Sequence, residues 1–200
     1  MTVERGKDWG EIGPLPDDGV VANSDAAVSK LIAKSGEGMP PVGLIGGDLR
    51  RTLGGRRTRG QLRSPEAARV TVDYGVVRFG DDEEPFVAHV LARRGLFRGP
   101  LVAVMNAAFV GSFNVAPRAH PGDGKLDIVE ASLSFGDKLK ARRRLPSGTH
   151  VPHPDISTRS VRESVLNFDM DLDIWVDGRK RGRATQIGVW VVADALHVVV

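Results

Sequence analysis

The sequence has no cysteine, one tyrosine and only 6% aromatic residues among its 200 positions. Without cysteine there is no disulfide, no thiolate nucleophile and no cysteine-ligated zinc. A long hydrophobic run is also missing. The longest apolar stretch, residues 101–110, is interrupted by Asn106 and falls far short of the roughly 20 residues that span a bilayer as a helix. The first residues, MTVERGKDWGEIGPLPDDG, are polar and acidic, unlike a secretory or transit leader. Charge of one sign is scarce too: 28 Lys and Arg against 25 Asp and Glu leave a formal net charge of +3. No internal repeat or low-complexity tract is visible. These absences predict a cytoplasmic chain that meets membrane, if at all, peripherally at the inner surface.

What is present is enough apolar content, 41%, for one sizeable core but not for two domains of ordinary size. Residues 1–18 mix Gly, Pro and Asp and read as a loop segment. Residues 19–55 read as strand, helix, strand and short helix. Residues 19–22 and 41–45 are the strands, residues 26–35 carry Val28, Leu31 and Ile32 on one helical face, and residues 49–53 form a helical turn. Asn23, Ser24 and Asp25 are each suited to cap the first helix. Residues 56–67 form a basic linker. From residue 68 onward short strand candidates follow one another: 69–74, 76–79, 86–92, 101–109, 113–116, 126–134, 160–167, 172–175, 186–192 and 195–200. Turn signals at Gly80-Asp81-Asp82, Pro121 to Gly124, Asp177-Gly178 and Ala193-Asp194 separate them. A helix-like basic patch is expected at 135–144. The fold class is therefore α+β: a mainly antiparallel, β-sandwich-like domain over 68–200, preceded by a small α/β subdomain. The last strand has few charges to guard an edge and is expected inside the sheet.

Three blocks carry chemical information: Val104-Met105-Asn106-Ala107-Ala108-Phe109, Val115-Ala116-Pro117-Arg118-Ala119 and Asp123-Gly124-Lys125-Leu126-Asp127-Ile128-Val129. In this order they resemble the β-rich second domain of the bacterial lipid-kinase family that includes diacylglycerol kinases and YegS-like proteins. An asparagine ends a strand, a Pro-x-Ala step follows, and an Asp-Gly-x-Leu-Asp turn leads into the next strand. Val72-Asp73-Tyr74-Gly75, Phe86-Val87-Ala88 and Val176-Asp177-Gly178 extend the resemblance over residues 68–200. Residues 18–27 and 42–54 match more loosely. Asn23-Ser24-Asp25-Ala26-Ala27 stands where the family has Gly-Gly-Asp-Gly-Thr, and Gly46-Gly47-Asp48 where it has a Gly-Thr-x-Asn-Asp loop.

The resemblance implies ATP and Mg²⁺ as cofactors. It implies a phosphate site made by Asn23, Ser24, Asp25, Gly46, Gly47 and Asp48. It implies a structural Mg²⁺ on Asp123, with carbonyls near His120 and Lys125, which Asp25 and Asp48 join through water. Asp177 would be the general base toward a lipid hydroxyl. Departures from the family pattern point the other way. A phosphate cradle needs glycines so that backbone N–H groups can approach the oxygens, and Asn23, Ser24 and Ala26 replace them. Residues before Gly46 look deleted, and the opening strand and helix of the nucleotide domain, with a helical insertion between Leu91 and Leu101, look absent. Arg179 replaces a glutamate beside Asp177, which would depress that carboxyl and weaken it as a base.

Plainer readings stand beside these. Asp123-Gly124 and Asp177-Gly178 are ordinary hairpin turns, and Asp25 and Asp48 are good helix caps. The His150, His153 and Asp155 group is too irregular in spacing to favour a metal. The tryptophans are best explained by packing.

Three functions compete. The first is a degenerate lipid-kinase-family protein without independent kinase activity, binding a lipid, an anionic membrane surface or a partner, with a homo-oligomer or a completing subunit open. The second is a minimal active lipid kinase using Asp177. The third is a basic binding module resting on the arginine runs 50–51, 56–59, 142–144 and 179–183. Nucleic acid is the weakest partner, because no aromatic-interleaved basic strand supports it.

Overall fold

Period-two alternation of apolar and polar residues dominates the second half of the chain, and the computed structural model turns it into long strands. It describes residues 10–35, 38–95, 101–131, 145–148 and 155–200. The expected helical patch 135–144 and both histidines of the 150–155 group lie outside them.

The short early elements are β1 (Glu11–Ile12), β2 (Val20–Ala22), α1 (Asp25–Ser35), β3 (Val42–Leu44) and α2 (Asp48–Thr52). The long ones are β4 (Ala68–Phe79), β5 (Asp82–Phe86), β6 (His89–Arg93), β7 (Leu101–Met105), β10 (Leu126–Ala131), β11 (Ile156–Val161), β12 (Glu163–Val176) and β13 (Arg179–Val199). A separate two-stranded hairpin joins β8 (Phe109–Val110) to β9 (Phe113–Asn114).

Eleven strands form one sheet, with the path β1-β4-β13-β12-β6-β7-β10-β11; β5 adds to β4, and β2 and β3 add beside β13. Nearly all pairs are antiparallel, whereas β2 with β3 and β3 with β13 are parallel. The sheet curls strongly. In the path β4 and β10 are five steps apart, about 24 Å if flat. Yet the Asp73 carboxylate on β4 accepts from Gly124 N–H at 2.7 Å, just before β10, and Asp73 N–H donates to the Pro121 carbonyl at 2.7 Å. The enclosed core runs from Val77, Phe79 and Phe86 to Leu126, Ile128, Leu172, Ile174 and Ile187. A second core seats α1 and α2 on the sheet through Val28, Ile32 and Leu49 against Val72, Val87 and Leu196.

Several expected breaks are bridged. Gly75 does not end a strand: it sits opposite Phe86, whose ring lies where a Cβ would come within 2.1 Å. The glycine therefore makes room for an aromatic ring packed on a continuous β4. Ala193-Asp194 is not a turn either. It is a bulge inside β13, with Asp194 at φ 53° and a register shift between Val192 and Leu196. The Asp73 carboxylate holds it by accepting Asp194 N–H at 2.8 Å. The expected strand 160–167 is instead divided at Arg162: residues 160–161 end β11, and residues 163–167 join 172–175 in β12 through a similar irregularity.

The acidic stretch of β5 was hidden from strand propensity. Its charges are met across the sheet, Glu83 by Arg78 and Glu84 by Arg181 at 2.6 and 2.8 Å. Its Pro85 is tolerated because β5 pairs only with β4. The expected strand 101–109 stops at Met105, where Asn106 leaves the ladder. The loop-like N-terminal segment contributes β1 and the buried Leu15, which packs with Leu62, Ala67 and Val199.

Candidate functional site

Asp25, Asp48 and Asp177 converge, although 152 positions separate the first from the last. Each reaches the place through its own element. Ser24 caps α1, its Oγ accepting Ala27 N–H at 3.3 Å. That cap puts Asp25 in the first turn, facing the start of α2. Its two oxygens accept Asp48 N–H at 2.6 Å and Leu49 N–H at 3.1 Å. The approach is close because Gly47, at φ 98°, has no side chain; a Cβ there would stand 2.4 Å from the Asp25 carboxylate. Glycine is required at this position both by the left-handed backbone and by the carboxylate.

Asp48 points from α2 toward the β8–β9 hairpin, and both its oxygens accept Gly111 N–H, at 2.9 and 3.0 Å. Thr52 adds to this seam: its Oγ1 accepts Ala108 N–H at 2.9 Å. Arg51 donates to the Gly111 carbonyl and lies over the Phe109 ring, 4.2 Å from its centre.

Asp177 occupies the first position of the β12–β13 hairpin, with φ 45° followed by Gly178 at 79°. Two residues of positive φ make the tight turn that fits strand twist. Its carboxylate is 7% exposed and turned inward. It accepts Val87 N–H at 2.9 Å, and Ala88 and His89 N–H at 3.0 Å each. Ser29 Oγ, one helical turn after Asp25, donates to it as well. The carboxylate thus joins the hairpin, the corner between β5 and β6, and α1. Arg179, beside it in sequence, is exposed on β13.

His89 lies between these acids. Its ring is buried, Nδ1 stands 3.8 Å from Asp48 Oδ2, and that nitrogen has no hydrogen-bond partner. Burial pushes its pKa down, against the pull of Asp177 and Asp48. Burial pushes Asp25 the other way, up to about 7, helped by the Asp177 and Asp48 charges and opposed by the two N–H bonds it accepts.

Asn106 links this cluster to a second one. Its Nδ2 donates to the Asp73 carbonyl at 2.9 Å and to the Val87 carbonyl at 2.8 Å. Beyond Asp73 lies the Pro121–Lys125 turn. There Asp123 Oδ1 accepts Lys125 N–H at 3.0 Å, and the His120 carbonyl accepts Gly122 and Asp123 N–H. Burial raises the Asp123 pKa, and the charges that act on it are Asp127, Lys125 and His120. Asp123, His120 and Lys125 therefore form one neighbourhood, and Asp25, Asp48 and Asp177 another. Among the described residues, no three His, Asp or Glu side chains are grouped so as to hold a metal ion.

Of the residues expected at the phosphate loop, Ser24, Asp25, Gly46, Gly47 and Asp48 do adjoin one another, with Asn23 packed against Gly46. Ser29 and His89 were not anticipated. Ser29 carries a signal in hindsight, the four-residue helical spacing from Asp25; a lone histidine at the start of an apolar strand carries none. The arginine run 142–144 lies outside the described residues, and several members of the other runs are committed inside the molecule. Arg50 and Arg57 donate to backbone carbonyls, Lys180 and Arg183 meet Asp173, and Arg181 meets Glu84. None of the helices among the described residues is long and apolar enough to cross a membrane.

Residues 64–200 match the family model for the YegS C-terminal, NAD kinase β-sandwich-like domain. A candidate diacylglycerol kinase from Bacillus anthracis str. Sterne has a similar fold, with a TM-score of 0.69 and 15% identity, over 90% of this chain and 77% of that one. A second structure, a diacylglycerol kinase from the same organism, gives a TM-score of 0.63 and 15% identity over 90% and 75%. At that identity the likeness is one of fold. No curated protein matches the chain. The family match covers well over half of the sequence and includes the Asn106–Val129 motifs, so the chain belongs to the YegS-like lipid-kinase family through its C-terminal β-sandwich-like domain.

Proposed function

We propose that this chain is a ligand-binding member of its family that does not transfer phosphate on its own. One observation carries the reading: the Asp177 carboxylate is fully engaged. A carboxylate offers about four acceptor positions, and Asp177 receives three backbone N–H groups and the Ser29 hydroxyl. A general base needs a free lone pair within reach of the substrate proton. Here the residue that the family resemblance makes the base instead holds three elements together.

The nucleotide loop supports the same reading. Several N–H groups at the start of α1 and α2 already have acceptors: Ala27 has Ser24, and Asp48 and Leu49 have Asp25. An ATP phosphate arriving at α2 would meet the Asp25 carboxyl. Mg²⁺ fits little better, since Asp123 Oδ1 already accepts Lys125 N–H and the His120 carbonyl already accepts twice, and a metal would compete with these bonds. ATP and Mg²⁺ are thus poor matches to these residues.

The test is a radiolabelled ATP assay on the full chain, with short-chain diacylglycerol and Mg²⁺. The expected result is no lipid phosphorylation above a no-protein control. Turnover that disappears in Asp177→Asn, with folding intact, would overturn the reading in favour of a minimal active kinase.

A further inference from the structure

A cavity of about 390 Å³ opens on the outer face of the sheet, between β10–β11 and the Ala116–Arg118 segment. That volume lies within the range of small-molecule sites. None of the residues discussed for phosphate transfer lines it.

Strand register shows how it is furnished. Thr158 pairs with Val129 and Ser160 with Asp127, so these four side chains share one face. Val129 and Ala116 form an apolar floor that continues into the small core with Ala103 and Met105. Thr158 and Arg118 are exposed, and neither has a hydrogen bond or ion pair to another described residue. Ser160 Oγ donates to Asp127 Oδ1, leaving the second Asp127 oxygen open. Arg159, although it borders the cavity, spends its guanidinium on Glu130 and Ser164.

Among the described residues the free equipment is therefore one cation, one carboxylate oxygen and one hydroxyl above an apolar floor. A purely anionic ligand would suit Arg118 but meet Asp127, with Asp123 next to it. A purely cationic one would meet Arg118. A zwitterion matches the charge of both walls. We propose that this cavity binds a zwitterionic amphiphile: an oxyanion on Arg118 and Thr158, a primary ammonium donating to Asp127, and an apolar portion on Val129, Ala116 and Pro117. A phosphoethanolamine group has this chemistry, whether as a lipid headgroup or as the free compound. The proposal rests on reading the chain as a ligand-binding member of its family.

Calorimetric titration of the full chain tests it with dihexanoyl phosphatidylethanolamine, below its micelle concentration, against the dihexanoyl phosphatidylcholine and phosphatidate analogues. Choline lacks N–H donors for Asp127, and phosphatidate lacks the ammonium. Both should bind about tenfold more weakly, the worth of one charge-assisted hydrogen bond. Arg118→Ala should lose affinity by at least that factor, and Asp127→Asn should abolish the preference over phosphatidate. Arg56→Ala, remote and exposed, should change nothing. Free phosphoethanolamine separates the sources: equal affinity assigns the site to the soluble compound, weaker affinity to the lipid. The idea is overturned if none of the probes saturates by millimolar concentration, or if Arg118→Ala and Asp127→Asn, shown folded by circular dichroism, bind as the parent does. Phosphate transfer by the chain would sink the proposed function and leave this binding pattern untouched, while a dead cavity would leave the phosphotransfer result untouched.

Discussion

Replacing Asp25 by asparagine separates the two roles of its carboxyl, as acceptor and as buried charge. In the folded protein its pKa is raised from 3.8 to about 7. A raised carboxyl favours the folded state while protonated. Its contribution is complete below about pH 4 and is lost as the pH climbs through about 7. The full loss is on the order of 4 kcal/mol, and about 3 kcal/mol of it falls between pH 4.5 and 8. Asparagine cannot ionise, so the variant lacks this slope. It also lacks one acceptor, because an amide nitrogen faces either Asp48 or Leu49 N–H, at a roughly pH-independent cost of about 1–3 kcal/mol. Asp25→Asn should therefore be less stable than the parent near pH 4.5 and equal or more stable near pH 8. His89 titrates with the opposite sign: its lowered pKa costs stability as pH falls below its ordinary value. The charges acting on it are Asp177 and Asp48, so it cancels in the difference between the two proteins. Urea unfolding at half-unit intervals from pH 4.5 to 8 measures that difference. Two curves that run parallel within about 0.5 kcal/mol would falsify the claim that Asp25 is buried, proton-bearing and repelled by its neighbours.

Asp177→Asn should leave at least one of four inward donors without an acceptor and lower stability by about 2–4 kcal/mol, read as a fall in Tm by circular dichroism. Gly47→Ala forces a left-handed residue against the Asp25 carboxylate and should cost about 2 kcal/mol or more in urea unfolding, whereas Gly60→Ala, at φ −67° with open space around it, should be neutral or slightly stabilising. Gly75→Ala drives a methyl into the Phe86 ring and should destabilise by about 2 kcal/mol; pairing it with Phe86→Leu should recover part of that loss, and strictly additive effects would count against the packing argument.

The sequence was most legible where local chemistry and tertiary structure agree. The Asp177-Gly178 turn, α1 with its cap among Asn23, Ser24 and Asp25, and the two short strands flanking α1 follow from spacing and residue type alone. Legibility failed where tertiary contacts override local preference. Gly75 looked like a strand end because the ring that occupies its missing side-chain volume comes from Phe86, on the next strand. Ala193-Asp194 looked like a turn because the carboxylate that steadies the bulge, Asp73, lies 121 positions earlier. Glu83 and Glu84 looked unfit for a strand until Arg78 and Arg181 were seen opposite them.

The same distinction explains how the aspartates can persist while the glycine loop does not. A phosphate loop is useful only when a phosphate is bound; in a chain that binds none, as proposed above, nothing in the fold requires Gly-Gly-Asp-Gly-Thr, and Asn23, Ser24 and Ala26 serve as well, Ser24 better because it caps α1. A carboxylate that accepts backbone N–H groups is different, because removing it strands buried donors whatever the ligand. Asp25 holds the start of α2, Asp48 holds the β8–β9 hairpin, Asp73 holds the β13 bulge and the turn before β10, and Asp177 holds the β5–β6 corner. These are demands of folding, and they keep the acidic positions of the family motif in place with or without phosphotransfer. A motif match at the aspartates is thus evidence for the fold, while evidence for catalysis must come from a carboxylate with an oxygen to spare. Asp177 does not have one. Asp127, with one oxygen left open above the Val129 floor, meets that condition for a ligand in the cavity proposed above.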